Sequence, residues 1–303
     1  MKRAQPLKKG DTIGIAAVSG TFERDAFEKG ITVLESLGFK TFFHESIFKK
    51  ERYLAGSDQR RSQELVSLFE NPEIKAIMFV RGGYGAMRIL PILDTKLIAA
   101  NPKLVIGYSD LTPLLAWLSQ NFGYPVAYGP MVLGLGKGVP ELTLEHLVRA
   151  LTSEKALGIL PGGNAKTLKE GEAKGKLRGG CLVMINASLR TPYEVNTDDA
   201  ILFFEDINEW VPQLDRLLTQ LKHAGKLKKV RGIVIGTLVL RSDDTHDVVA
   251  MLQDVFSDFQ GPVIFNYPAG HDTAFVTLPL GVDAALIASE TSCSLTITSG
   301  LFE

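Results

Sequence analysis

In the first half of the chain, short apolar runs alternate with helical patterns, and this alternation narrows the fold more than any other feature. Residues 12–18, 40–44, 76–80, 104–106 and 125–128 read as strands, the first of them rich in β-branched residues. Between the first two lies a helical pattern with Phe27, Ile31, Val33, Leu34 and Leu37 on its apolar face, and Gly38 follows as its C′ residue. Ser57 opens a second helix carrying Leu65, Leu68 and Phe69. Further helical stretches are expected around residues 87–93, 110–121 and 143–151. Strands separated by helices run parallel, which predicts a parallel α/β sheet covered on both faces. In such sheets ligands bind outside the carboxyl ends of the strands. Arg81-Gly82-Gly83 and Ser109 both follow strands, so both belong on that rim.

The pattern changes after residue 152. Residues 153–175 carry Gly162, Gly163, Gly171 and several lysines with little periodicity, and are expected to be a linker. Beyond them, 201–204, 232–237 and 263–266 read as strands, separated by helical patterns at 214–223 and 248–259. The tail reads as short strands at 277–282, 285–288 and 294–298. The expected organisation is therefore an α/β domain over 1–152, a linker over 153–175, and an α+β domain over 176–303 with a mixed or barrel-like sheet.

Composition removes several function classes. At 303 residues with 45% hydrophobic and 22% charged residues, the chain has the make-up of a globular protein. A net charge of −1 offers no basic surface for nucleic acid. No apolar run is long enough to span a bilayer, and the basic start lacks the apolar stretch of a signal peptide. Cys181 and Cys293 are far apart and lack metal-ligand spacing, and no His or acidic metal motif accompanies them. The expectation is a cytoplasmic chain with unpaired thiols, no metal site and no cofactor.

Chemistry points to the corner after residue 106. Gly107 permits a sharp turn, Ser109 sits at its tip, and a helix leaves from Asp110. A serine at a strand-turn-helix corner exposes its hydroxyl and aims the next backbone N–H groups at an anion, the geometry of a nucleophile elbow. Leu111 stands where the second glycine of Gly-x-Ser-x-Gly would be, and a serine there can also simply cap the helix.

A serine nucleophile needs a base and a group that orients the base. Of the five histidines, His44 ends a strand, His146 and His223 belong to exposed helix faces, and His246 lies in an acidic loop. His271 follows Asn266-Tyr267-Pro268-Ala269-Gly270 where the chain turns after a strand, a suitable place for a functional imidazole. Glu205 ends the apolar run Ile201-Leu202-Phe203-Phe204 and is costly to bury unless paired. It can orient an imidazole, or it or Asp206 can cap a turn or pair with Arg216. Arg81-Gly82-Gly83-Tyr84-Gly85 lacks the ending of a nucleotide-binding loop, but its glycines let backbone N–H groups approach a ligand, as one half of an oxyanion hole.

These pieces together resemble the LD-carboxypeptidases, serine peptidases of the murein-tetrapeptide carboxypeptidase and microcin-immunity group. The resemblance runs through Leu7-Lys8-Lys9-Gly10-Asp11, Tyr53-Leu54-Ala55-Gly56-Ser57-Asp58, Arg81-Gly82-Gly83-Tyr84-Gly85 and Gly107-Tyr108-Ser109-Asp110. It continues through Gly179-Gly180, Thr191-Pro192-Tyr193, Phe204-Glu205-Asp206, Asp215-Arg216, Gly270-His271 and Thr277-Leu278-Pro279-Leu280-Gly281. It implies a flavodoxin/Rossmann-like parallel-sheet N-terminal domain, a smaller β-rich C-terminal domain, and an active site between them. Ser109 is then the nucleophile, His271 its base and Glu205 the acid orienting that base. The backbone N–H groups of Gly83 and Asp110 form the oxyanion hole.

The implied activity is cleavage of the amide bond to a C-terminal D-amino acid, D-alanine of a murein tetrapeptide, by a homodimer acting in cell-wall recycling. Two alternatives remain: cleavage of peptidyl- or aminoacyl-nucleotides, with Trp210 a candidate to stack on the base, and a non-catalytic muropeptide-binding homologue. The chain departs from the family pattern at Val18, Cys181 and the stretch from Asn208 to Gln213, which bears on substrate preference and removes no triad member.

Overall fold

A computed structural model of the chain describes residues 4–302. The first sheet holds strands β1 (Thr12–Ala16), β2 (Lys40–Phe42), β3 (Ile74–Phe79), β4 (Leu104–Gly107) and β5 (Val126–Tyr128). All five run parallel, in the order β2-β1-β3-β4-β5. That is the flavodoxin-like order, whose switch point lies between the first and third strands. Helices cover both faces, so β3 and β4 are buried almost throughout and read as continuous apolar runs. The expected caps are present. Ser57 accepts the Arg60 N–H at 3.2 Å, and Gly38 follows the first helix with a φ of +93°.

The second sheet contains β6 (Gly158–Ile159), β7 (Lys166–Lys169), β8 (Gly171–Cys181), β9 (Ala200–Glu209), β10 (Gly232–Leu240) and β11 (Val263–Phe265). One later strand, β12 (Leu278–Leu280), crosses back to the first sheet and pairs antiparallel with β5. β13 (Asp283–Ala288) and β14 (Cys293–Ile297) complete the second sheet, whose order is β6-β14-β13-β8-β9-β10-β11-β7. β8 to β11 are parallel, and the strands beyond them are antiparallel to their neighbours. The mixed sheet expected for this half is therefore present.

The linker expected over 153–175 is corrected: the segment supplies β6, β7 and the start of β8. Of its lysines, Lys166 and Lys169 belong to β7 and Lys174 lies on the outer face of β8. Glu172, Lys174 and Lys176 face solvent while Ala173 and Gly175 alternate inward, the period of a half-buried strand. Among the described residues, no helix is long and apolar enough to cross a membrane.

The two sheets meet at their carboxyl-end rims. Cys181 at the end of β8 pairs in register with Glu205 on β9, and its N–H donates to Thr112 Oγ at 3.0 Å. The Thr112 hydroxyl in turn donates to the Ser109 carbonyl at 2.8 Å. The corner after β4 is thus fastened to the second sheet through one threonine.

Candidate active site

Ser109 stands at the expected corner, between β4 and the helix Thr112–Phe122. Its φ is +65°, in the left-handed region that non-glycine residues rarely occupy. Such strain persists only where neighbours hold it. Here the Ser109 N–H donates to the Tyr128 hydroxyl at 3.2 Å, and Thr112 holds the Ser109 carbonyl.

The loop after β3 packs on this corner with bare backbone. A Cβ on Gly82 would lie 3.0 Å from Ser109 Cβ and 3.3 Å from the Asp110 nitrogen, so no side chain fits between them. Gly83 follows with a φ of +112°. Asp110 fixes the relation of loop to corner: its Oδ2 accepts the Ala86 N–H at 2.9 Å and the Ser19 hydroxyl at 2.6 Å. Ser19 follows β1 and Arg81 follows β3, so corner and loop converge on the switch point of the sheet.

His271 and Glu205 come from the second sheet. The chain after β11 is stitched to β10 by Tyr267 N–H to the Ile235 carbonyl at 3.0 Å and by Thr237 N–H to the Ala269 carbonyl at 3.0 Å. A Cβ on Gly270 would lie 2.6 Å from Glu205 Oε2, so glycine lets the loop close over the carboxylate. His271 Nδ1 then sits 2.7 Å from Glu205 Oε2, and His271 Nε2 sits 3.0 Å from Ser109 Oγ. Glu205 is fully buried and is offset by three donors: the imidazole, the His271 N–H at 3.2 Å, and the Tyr128 hydroxyl at 2.6 Å on Oε1. The Tyr108 ring packs 4.8 Å from the imidazole and 5.1 Å from Phe275, which limits ring rotation.

The electrostatics follow from burial. Desolvation, helped by the Glu205 charge, pushes the Tyr108 phenol up to about 12 and the Tyr128 phenol well above its ordinary value, so both stay protonated. Burial also pushes the Cys181 thiol up, which leaves it an inert packing group. Asp206 is raised to about 6 by burial, with Glu205 adding to it, although its oxygens accept the Val183 and Ile207 N–H groups at 2.8 Å each. Asp206, rather than Glu205, therefore takes the capping role, at the start of the helix Leu182–Ala187.

Of the sequence-expected residues, Ser109, His271 and Glu205 are brought into one hydrogen-bonded chain, with Gly83 and Asp110 beside it. His44 bonds Ser67 Oγ at 2.8 Å on the outside of the first sheet, and His246 bonds Asp244 at 2.7 Å. His146 is corrected: it is buried, not exposed, because its helix Glu141–Thr152 packs that face inward. Tyr128 escaped the sequence reading. Its signal was a tyrosine at the carboxyl end of a buried strand, where the hydroxyl needs a partner.

A serine bonded to an imidazole, itself bonded to a buried carboxylate, can carry acyl transfer. A family model described as the LD-carboxypeptidase N-terminal domain matches residues 13–129, and one described as the LD-carboxypeptidase C-terminal domain matches residues 174–286. A probable murein peptide carboxypeptidase from Bacillus subtilis (strain 168) is 30% identical over 297 residues, covering 95% of this chain and 92% of that one. The microcin C7 self-immunity protein MccF of Escherichia coli is 30% identical over 330 residues, covering 97% of this chain and 95% of that one. The solved structure of MccF in complex with aspartyl sulfamoyl adenosine has a TM-score of 0.91 at 28% identity, covering 100% of both chains. The matches to both domain models and to the carboxypeptidase relative mark the chain as a peptidase. The chain belongs to the LD-carboxypeptidase family, whose N- and C-terminal domains it carries in order.

Proposed function

We propose that this protein is a serine-type LD-carboxypeptidase that releases the terminal D-alanine of a murein tetrapeptide, as a cytoplasmic homodimer in cell-wall recycling. The observation that carries the reading is the chain Ser109 Oγ, His271, Glu205, closed at 3.0 and 2.7 Å. His271 Nε2 takes the Ser109 proton as Oγ attacks the carbonyl carbon. The backbone N–H groups of Gly83 and Asp110 hold the oxyanion. His271 then returns the proton to the departing amine of D-alanine, and water hydrolyses the acyl-serine by the same route. Glu205 holds the imidazole in the tautomer with Nδ1 protonated.

A carboxypeptidase also needs a cation for the free carboxylate. Arg81 meets that need. It is exposed, its Nε and Nη1 donate to the neutral carbonyls of Gly82 and Thr21 at 3.3 and 3.1 Å, and its Nη2 points along Gly83. A guanidinium so anchored keeps donors for a carboxylate one residue beyond the scissile bond. Incubation with a murein tetrapeptide and detection of released D-alanine tests the reading, and no release by the folded protein contradicts it.

A second reading is the microcin-immunity activity on aminoacyl-nucleotides. It is favoured by the MccF relative and by Trp210, half-exposed beside β9, with the Arg241 guanidinium 5.0 Å from its ring centre. Release of an aminoacyl group from a sulfamoyl nucleotide in preference to D-alanine supports this reading over the first.

A further inference from the structure

The triad is divided between the two sheets. Ser109 belongs to the first, and Glu205 and His271 to the second. Tyr128, the last residue of β5, is fully buried between them. Its hydroxyl donates to Glu205 Oε1 at 2.6 Å and accepts the Ser109 N–H at 3.2 Å. The bonds therefore form a ring that runs from Ser109 Oγ through His271, Glu205 and Tyr128 back to the Ser109 nitrogen.

We propose that Tyr128 is a positioning residue of the catalytic apparatus, setting both the charge that Glu205 presents to His271 and the strained backbone of Ser109. The inference rests on the serine mechanism above. Two consequences follow from the ring. A proton donor on Oε1 draws negative charge away from Oε2, so Glu205 supports an imidazolium less than a bare buried carboxylate would. Loss of that donor would concentrate the carboxylate's charge on Oε2, the oxygen that faces the imidazole. The second consequence concerns the oxyanion. With the Ser109 N–H turned to the phenol, the nucleophile's own amide is not aimed at the oxyanion, and the donors fall to Asp110 and Gly83. The two bonds strengthen each other, because a hydroxyl that accepts from an amide is a better donor to a carboxylate.

The test is the pH profile of Ser109 labelling by a fluorophosphonate, a probe that needs the nucleophile and base but no natural substrate. Labelling of the native protein, absent in Ser109→Ala, establishes the serine mechanism, and its absence from the native protein overturns that mechanism and the role of Tyr128 together. In Tyr128→Phe the acid limb should move up by about half to one pH unit. The plateau rate should fall about tenfold or more as the corner loses its hold. A uniform fall with an unmoved acid limb, a downward move, or an unchanged profile would overturn the positioning role while leaving the triad standing. If Tyr128→Phe does not fold, 3-fluorotyrosine placed at position 128 keeps the shape and strengthens the donor. The acid limb should then move down, and an unmoved or raised limb overturns the proposal.

Discussion

Ser109 and His271 are 162 positions apart in the chain, yet Ser109 Oγ and His271 Nε2 lie within hydrogen-bond distance at 3.0 Å. Each side of this contact is built separately. The serine is held by a corner of the first sheet, and the histidine by a loop stitched to β10 of the second. Contact depends on the seam between the sheets, where Thr112 joins Cys181 to Ser109, while Asp110 ties the corner to the glycine loop within the first sheet.

Residues that act as a unit lose activity non-additively. Ser109→Ala should abolish nearly all peptide turnover, and adding His271→Ala should cost little more. Steady-state rates of the single and double variants check this. Losses that multiply as independent factors would remove the pair from a common mechanism.

Gly83 is constrained by its backbone and not by space. Its φ is +112°, while the nearest atom to an added Cβ is 3.7 Å away. Gly83→Val should therefore fold but turn the N–H away from the oxyanion. Loss of one such donor costs about a hundredfold to a thousandfold in turnover. Native thermal unfolding with native turnover would place the donor elsewhere.

Arg81→Gln should separate carboxylate recognition from chemistry. KM for a peptide with a free C-terminus should rise by roughly tenfold to a hundredfold, while fluorophosphonate labelling of Ser109 stays close to native. Equal KM values in the two proteins would exclude Arg81 as the anchor.

Asp206 carries a pH signature in stability. Its folded value, about 6, lies above the ordinary 3.8 because of burial. A raised carboxyl contributes stability below the lower value and loses it as pH rises through the upper one. The loss is on the order of 3 kcal/mol at most. Asp206→Asn cannot ionise, so the melting temperature of the variant relative to native should rise between about pH 4 and 6. A constant difference across that window would show that Asp206 does not titrate there.

The first sheet was legible because its strands are buried runs between capped amphipathic helices, signals carried by neighbours in sequence. Ser57, Gly38 and the corner at Ser109 are of that kind. β6 and β7 were not legible, since short edge strands rich in lysine and glycine look locally like linkers. The return of β12 to the first sheet was likewise hidden: 277–282 reads as a strand, but nothing nearby says which sheet it joins. His271 and Glu205 each suit their roles locally, but five histidines competed, and only the family resemblance singled out one. Tyr128 was missed because its role lies in two bonds to residues 19 and 77 positions away.

Cleavage of a terminal D-residue by Ser109 has a stereochemical signature. A free carboxylate anchored at one point and a pocket of one hand admit one configuration, since exchange of D for L moves the scissile carbonyl, and misplacement of about an ångström costs on the order of a hundredfold in rate. The most direct measurement is a competition, read by mass spectrometry, between two murein tetrapeptides ending in D-alanine and in L-alanine. D-alanine alone should be lost, and its loss should be abolished in Ser109→Ala. Equal cleavage of both peptides, or D-alanine release that survives Ser109→Ala, would contradict this expectation.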